Sequence, residues 1–446
     1  TSNNTTLATS SYPLSPGIWK DLKISLRREF SGVRIIVSSG TTSVINHLDT
    51  KGKIHFGKAL IGLHNGKMAF DDLKINTNRL DYSKTWHQVD FVGGWSQAVT
   101  AHPYLPNVAF MGGSDGGIFK TEDYGQTWKE VGIPGELHKI RVRAISISTK
   151  DPNIMYVGTV GKHVSPLWRS ENGGKTWKWT KAGEISLEGE IFTVAIDPEN
   201  PYHIFSGMDQ WATKDGIWES YDGGKTFTTT LPITHNKIMK NGVAITGSGS
   251  GGNGGGSMSV IRIDPVKVNG SLHLVAGTRT NRGWITAAAA STSIIRSLDG
   301  GKTWSDLSMG LPTGEDIYDL QFFYPTSKSH PAINYDSYTL AQLSSAKIPL
   351  IMARTSNNAI YVLPNDLQST TWKKIAPLPT AFAGQYLKAI RIDEISNPKK
   401  VLVVGHKCIV EGDGYLNWTK RGTCNHATID HDFTAISPAN PNVIYS

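Results

Sequence analysis

The chain has 446 residues, of which 39% are hydrophobic and only 18% charged, with 46 glycines, 13 tryptophans and a formal net charge of +8. This composition excludes a coiled coil, a highly charged disordered chain and a collagen. No apolar run approaches the roughly 20 residues that a membrane helix needs. Glycine and tryptophan with few charges point instead to many short strands joined by tight turns. The positive charge would suit acidic partners, but the basic residues are scattered. The densest groups are Arg27-Arg28, the stretch from His138 to Arg143, and Lys399-Lys400. Two of these alternate with apolar residues or sit at a turn, as solvated strand faces do, and no nucleic-acid-binding motif accompanies them.

In chain order, residues 1–16 are rich in Ser and Thr and read as an extended leader. The first residue is Thr1, not Met, and no signal peptide is present, so the sequence reads as a processed product or a fragment. Residues 17–78 read as successive strands, first Trp19 to Ile24, then Gly32 to Val37, and finally the stretch from Ile61 to Ile75. The ending Phe70-Asp71-Asp72-Leu73-Lys74-Ile75 resembles the last strands of a concanavalin-like or laminin-G-like jelly roll. That resemblance implies a partial jelly-roll (β-sandwich) segment. Its remaining strands would have been cut away or would come from another polypeptide.

From residue 79 onward an internal repeat organises the chain. Thr121-Glu122-Asp123-Tyr124-Gly125-Gln126-Thr127-Trp128 recurs from Ser170 to Trp177, from Ser220 to Phe227 and from Ser297 to Trp304. Weaker copies end at Trp86, Trp372 and Trp418. In the pattern Ser/Thr-x-Asp-x-Gly-x-Thr-Trp the carboxylate can accept backbone N–H groups inside a tight turn. Glycine supplies the positive φ, and the Trp opens the next strand and packs inward. The motif resembles the Asp-box of sialidases, xyloglucan-active endoglucanases and sortilin-type receptors. In those proteins it is structural, which implies that these aspartates are neither catalytic nor metal-binding.

A strand–turn–strand repeat precedes each box, as in Ala98 to Gly112, Arg143 to Gly158 and Phe192 to Gly207. Each unit therefore holds four antiparallel strands, the content of a propeller blade. Six units run over 96–130, 142–181, 191–230, 258–308, 317–376 and 387–420. The box ending at Trp86 supplies two strands of a seventh, and the tail from Phe433 supplies the other two. The expected fold is all-β: a seven-bladed Asp-box propeller over 79–446, closed by pairing 79–90 with 431–446 and preceded by the partial jelly roll. The glycine run from Gly247 to Gly256 reads as a loop tip, and Thr326 to Leu350 interrupts the fifth unit.

Position within a blade sorts residues by face. Box turns lie on one face. Loops between second and third strands, and links between blades, lie on the other, where propellers usually bind ligands. Trp95, Asp209, Trp211, Arg282 and Trp284 fall on this loop face as candidate ligand-binding residues. Exposed Trp there would stack on sugar rings, and the alternative is packing under a loop. Carboxylates on the same face are Asp115, Glu188, Asp209, Glu190, Glu315, Asp316, Asp430 and Asp432. The stretch from Gly93 to Gly117 resembles the first blade of the xyloglucan-active endoglucanases. The resemblance implies that Asp115, preceding Gly116-Gly117, is the catalytic candidate. That family's second catalytic Asp lies on a second propeller, which these residues do not include. The Phe-Arg-Ile-Pro element of sialidases is absent, although Arg279, Arg282 and Arg354 fall on the loop side.

Cys408 and Cys424 flank the turn signal Glu411-Gly412-Asp413-Gly414 and are read as a disulfide, with two buried free thiols as the alternative. Sequons at Asn269 and Asn417, besides those at Asn3 and Asn4, mark glycosylation candidates. Disulfide and sequons together place the chain outside the cell or on its surface. The 14 histidines are spread out, with His426 and His431 the only near pair, so no metal site and no cofactor are expected. The expected function is a binding or scaffold module that engages a glycan or another protein chain through the loop face, with no nucleic acid and no membrane span. A polysaccharide-cleaving glycoside hydrolase, xyloglucanase-like or sialidase-like, is the alternative.

Overall fold

The computed structural model describes residues 23–29, 32–39, 42–49 and 96–445, the last range with gaps at 114–116, 132–140, 161–166, 181–188, 211–215, 233–237, 241–242, 246–256, 280–293, 313–314, 327, 376–377, 380–385, 397, 406–407 and 422–433. The contacts divide into two units, Thr1–Asp81 and Tyr82–Ser446. The described residues of the first unit form a three-stranded antiparallel sheet of Lys23–Glu29, Gly32–Ser39 and Thr42–Asp49. Of the strand expected from Trp19 to Ile24, Lys23 and Ile24 lie in the first of these and the rest lies outside the described residues. The 61–75 ending, on which the jelly-roll resemblance rests, lies outside the described residues.

The second unit is a β-propeller. Six sheets each hold four antiparallel strands in simple chain order from inner to outer, and the sheet of blade 4 carries two further strands on its outer edge. Blade 3, for example, is built of Gly189–Ile196, Ile204–Gln210, Gly216–Ser220 and Thr228–Pro232. Blade 4 has Ser257–Ile263, Leu274–Arg279, Ile294–Ser297 and Ser305–Asp306 at its core. The innermost strands of successive blades pack side by side around the ring. A two-stranded sheet, Ala435–Ser437 with Asn440–Tyr445, completes the circle. Its Ile436 packs on Leu402 and Val404 of blade 6, and its Ala435 and Tyr445 pack on Ala101 and Ala109 of blade 1.

The repeat count predicts seven blades, whereas the described residues hold six complete ones. The remaining sheet is two-stranded, and 79–90, expected to supply its other two strands, lies outside the described residues.

The repeated turn forms by local bonding, as its residue types demand. In blade 3, Ser220 Oγ donates to Asp222 Oδ1 (2.9 Å) and accepts from Gly224 N (2.8 Å). Asp222 Oδ1 accepts from Thr226 N (2.9 Å) and Oδ2 from Thr226 Oγ1 (2.7 Å). The same bonds recur around Asp123 and Asp299, and around Asn172 with one reversal, its Nδ2 donating to Thr176 Oγ1 at 2.8 Å. Burial alone would raise these carboxyls, but the Thr and Ser donors hold Asp123, Asp222 and Asp299 below the usual carboxylate range. Gly224 and Gly301 take φ of +88° and +91°, which L side chains rarely adopt. Trp177 and Trp304 are buried, each donating its indole N–H back to a turn carbonyl.

A second device repeats between blades. In each of the six blades the first strand carries a register shift near its start, as at Val142/Ala144 and Ile317/Asp319. In three of them, Val142, Ile191 and Ile317, the side chain just before the shift seats on a second-strand glycine of the preceding blade. A Cβ on Gly112 would lie 2.3 Å from Val142 Cγ1, and one on Gly277 2.5 Å from Ile317 Cγ2. The missing side chain lets the blades approach at the loop end.

Two additions interrupt this regularity. The hairpin Ile238–Lys240 and Val243–Ile245 joins the outer edge of blade 4 and covers strand ends that would otherwise stand open. The interruption of blade 5 holds the helix Leu340–Ala346, started by a capping box of Thr339 and Gln342. Leu343 of that helix is buried with Phe323 and Tyr415.

Candidate functional site

The sequence places its ligand candidates on the loop face, and the second-strand ends from which those loops issue lie at one end of the ring. Asp115 itself falls in 114–116, outside the described residues. The loop that carries it is closed by Gly113 N donating to Gly117 O at 3.2 Å. Trp95, Trp211, Arg282 and Trp284 also lie outside the described residues. Asp209 is the penultimate residue of Ile204–Gln210, directly opposite Glu190 in the register. That pairing brings two acidic positions to the loop end of blade 3.

The other described acids at this end are held by partners. Arg143 of blade 2 binds Glu190 of blade 3 (Nη2–Oε2 2.9 Å), with its guanidinium 5.1 Å from the Phe192 ring centre. Asp319 of blade 5 lies between Arg262 of blade 4 (3.1 Å) and Arg391 of blade 6 (2.5 Å), and accepts from Ile390 N (3.0 Å). Burial would raise the Asp319 carboxyl, but the two guanidiniums hold it below the usual range. Arg391 continues the chain to Thr434 O. Glu315 accepts from Ser356 Oγ, and Asp316 N donates to the same hydroxyl at 2.9 Å. Arg354 is buried, with its guanidinium 4.7 Å from the Tyr318 ring centre. The inner strands of blades 4, 5 and 6 are thus joined by one chain of alternating charge.

Cys408, at the head of the third strand of blade 6, is fully buried and disulfide-bonded, while Cys424 lies outside the described residues. Asn269 and Asn417 are both exposed. Asn269 sits at φ +49° in a tight turn before Gly270, and the Asn417 amide donates to Asp413 Oδ2 at 2.6 Å.

Two buried histidine groups on the opposite face were not foreseen from the sequence. In blade 3, His203 Nδ1 meets Asp197 Oδ2 (2.9 Å) and Nε2 meets Glu219 Oε1 (2.7 Å). The exposed Tyr221 stacks on the imidazole at 4.3 Å. Burial would lower this histidine, but the bonds to Glu219 and Asp197 carry it above its ordinary value. Both partners are carboxyl groups, an arrangement that favours the imidazolium, which donates from both nitrogens. The signal was available: Glu219 pairs with Phe205 across the hairpin, two residues from His203.

In blade 4, Asp264 Oδ2 meets His273 Nδ1 (3.0 Å), His330 Nε2 (3.1 Å) and Asn365 Nδ2 (2.8 Å). Its Oδ1 accepts from Tyr324 Oη (2.6 Å) and Val266 N (2.9 Å). Burial would raise Asp264, but these donors hold it far below the usual carboxylate range. The His273 imidazole is pushed down by burial. Asp264, His273 and His330 place a ligand atom each within 4.8 Å of one another, and are the described residues best able to hold a metal ion. Spacing hid them: His330 belongs to the blade 5 interruption, 66 residues from Asp264.

No protein-family model matches the chain, and no curated protein matches it. Solved structures do match its fold. A GH74 enzyme of Niastella koreensis superimposes with a TM-score of 0.51 at 15% identity, over 78% of this chain and 50% of that one. The GH74 xyloglucanase of Xanthomonas campestris gives 0.50 at 17% identity, with the same coverage of both chains. YCF48 bound to D1 peptide gives 0.44 at 14% identity, over 74% of this chain and 82% of that one. This chain therefore spans about half the length of the GH74 structures it resembles, and the likeness establishes the β-propeller fold.

Proposed function

We propose that the protein is a binding or scaffold module, acting outside the cell or on its surface, that engages a glycan or another protein chain through the loop face of its propeller. The observation carrying this reading is the state of the described loop-end acids. Glu190 is held by Arg143, Asp319 by two arginines, and Glu315 by Ser356. A glycosidase needs one carboxyl kept protonated as acid and a second carboxylate roughly 5–9.5 Å away. Acids tied into blade-to-blade ion pairs stiffen a rim and are poorly suited to that work. Trp95, Trp211 and Trp284 would supply stacking platforms, with Asp209 and Arg282 adding polar contacts. Cys408 would pair with Cys424, Asn269 and Asn417 would carry glycans, and strands from 79–90 would complete a seventh Asp-box blade. Another polypeptide would complete the jelly-roll segment.

Glycoside hydrolysis is the competing reading, favoured by the first-blade pattern that ends in Asp115-Gly116-Gly117. Turnover and binding are measured on β-glucans, xyloglucan and sialosides, for wild type and Asp115→Ala. The module predicts binding without turnover, unchanged in the variant. Hydrolysis that Asp115→Ala abolishes would replace this reading with the hydrolase.

A further inference from the structure

We propose that Asp264, His273 and His330 bind a divalent transition-metal cation, zinc by ligand chemistry, which clips the interruption of blade 5 to blade 4. The residues come from different segments. Asp264 follows the first strand of blade 4 and His273 precedes its second. Tyr324 follows the first strand of blade 5, and His330 lies in the interruption that leads to the helix Leu340–Ala346. Two imidazoles and one carboxylate are a donor set suited to zinc.

The distances suit the ion. Ligand atoms of a tetrahedral zinc site stand about 3.3 Å apart for bonds of roughly 2.0–2.1 Å. Asp264 Oδ2 lies 3.0 Å from His273 Nδ1 and 3.1 Å from His330 Nε2. A small outward shift of each ligand opens the centre. Tyr324 Oη, 3.2 Å from His330 Nε2, donates to the other oxygen of Asp264, and water would fill a fourth position.

Hydrogen bonding alone serves the cluster poorly. A carboxylate offers about four lone-pair sites, whereas five groups crowd Asp264, two of them histidine nitrogens. One cation in place of the two imidazole protons relieves that crowding. A second observation is independent of it: Asn365 Oδ1 is fully buried without a hydrogen-bond partner. Half a turn of that amide directs Oδ1 at the cluster, where a cation would accept it. The nearby charge is also accommodated, since Arg296 on the same face of blade 4 is countered by Asp366 and Asp336.

Blade 3 is the internal control. Its corresponding histidine, His203, has both nitrogens filled by carboxylates. In blade 4 the strand position of Glu219 is taken by Arg296, His273 Nε2 is buried without a hydrogen-bond partner, and residues of the next blade bond Asp264 instead.

The test uses the full, tag-free chain produced with zinc supplied, dialysed, and analysed for metal. Wild type is expected to retain stoichiometric zinc. His330→Gln, which keeps a polar group near the surface of the cluster, should lower zinc content by about tenfold or more. The pair His426→Gln and His431→Gln should leave it unchanged. Chelator should lower the wild-type melting temperature, zinc should restore it, and His330→Gln should respond to neither. Cobalt exchanged into the site should show the visible absorption of a four-coordinate centre in wild type only. Wild type that retains no zinc, or His330→Gln that retains all of it, overturns the proposal.

Discussion

Blades 3 and 4 place a histidine at the same point, just before the second strand and against the aspartate that ends the first. The two histidines then diverge. His203 faces Glu219 on the third strand, whereas His273 has Arg296 at the corresponding strand position. The first is closed inside its own blade between two acids, whose bonds raise its pKa above the ordinary histidine value. The second is kept neutral by burial, and its aspartate reaches across to His330, Tyr324 and Asn365 of blade 5. One exchange on a neighbouring strand thus turns a bond that stabilises a blade into one that joins two blades. A propeller can vary its seams this way without altering the repeat that builds it.

The largest effect should come from removing the hub of the blade 4 cluster. Asp264→Ala leaves several buried donors without an acceptor and is expected to cost about 3–5 kcal/mol. Asp197→Ala should cost less, about 1–3 kcal/mol, because His203 keeps Glu219. Urea midpoints for both variants, measured in chelator with unchanged slope, would check this. Equal losses would mean that the two histidine groups do the same work.

Next comes pH. The folded pKa of His203 lies above its unfolded value. Its contribution is therefore complete below the unfolded pKa of about 6.5 and is lost as pH rises through the folded value. His203→Gln should remove that slope from the stability profile. Glu219→Gln should move it to lower pH and cost about 1–2 kcal/mol on the acid side. A profile that keeps the wild-type slope in His203→Gln would assign the dependence to another group. The smallest effect belongs to the turns: Ser220→Ala removes the acceptor of Gly224 N and should cost about 1 kcal/mol in a thermal melt.

How much was legible depended on the range of the bonds. The turn around Asp222 could be read because its partners are two to four residues away. The strand–turn–strand repeat could be read for the same reason, with the end of the first strand capping its own turn, as Asp393 Oδ1 accepts from Ile395 N and Ser396 N. The group around His203 was within reach, since hairpin register alone brings Glu219 beside it. The group around Asp264 was not, because Asn365 joins it from 101 residues away. Scattered histidines in the sequence therefore gave no sign that His273 and His330 converge on one aspartate.

The sequence by itself determined the strands, the turns and the four-stranded unit, because a blade is made of neighbours in the chain that bond locally. Tertiary structure alone decided what lies between blades. There, Val142 and Ile317 seat on Gly112 and Gly277, Asp319 joins two arginines, and Asp264 gathers donors from the next blade. These contacts depend on how one sheet is turned against the next. That angle is set by packing of whole faces, which no local pattern of residues records.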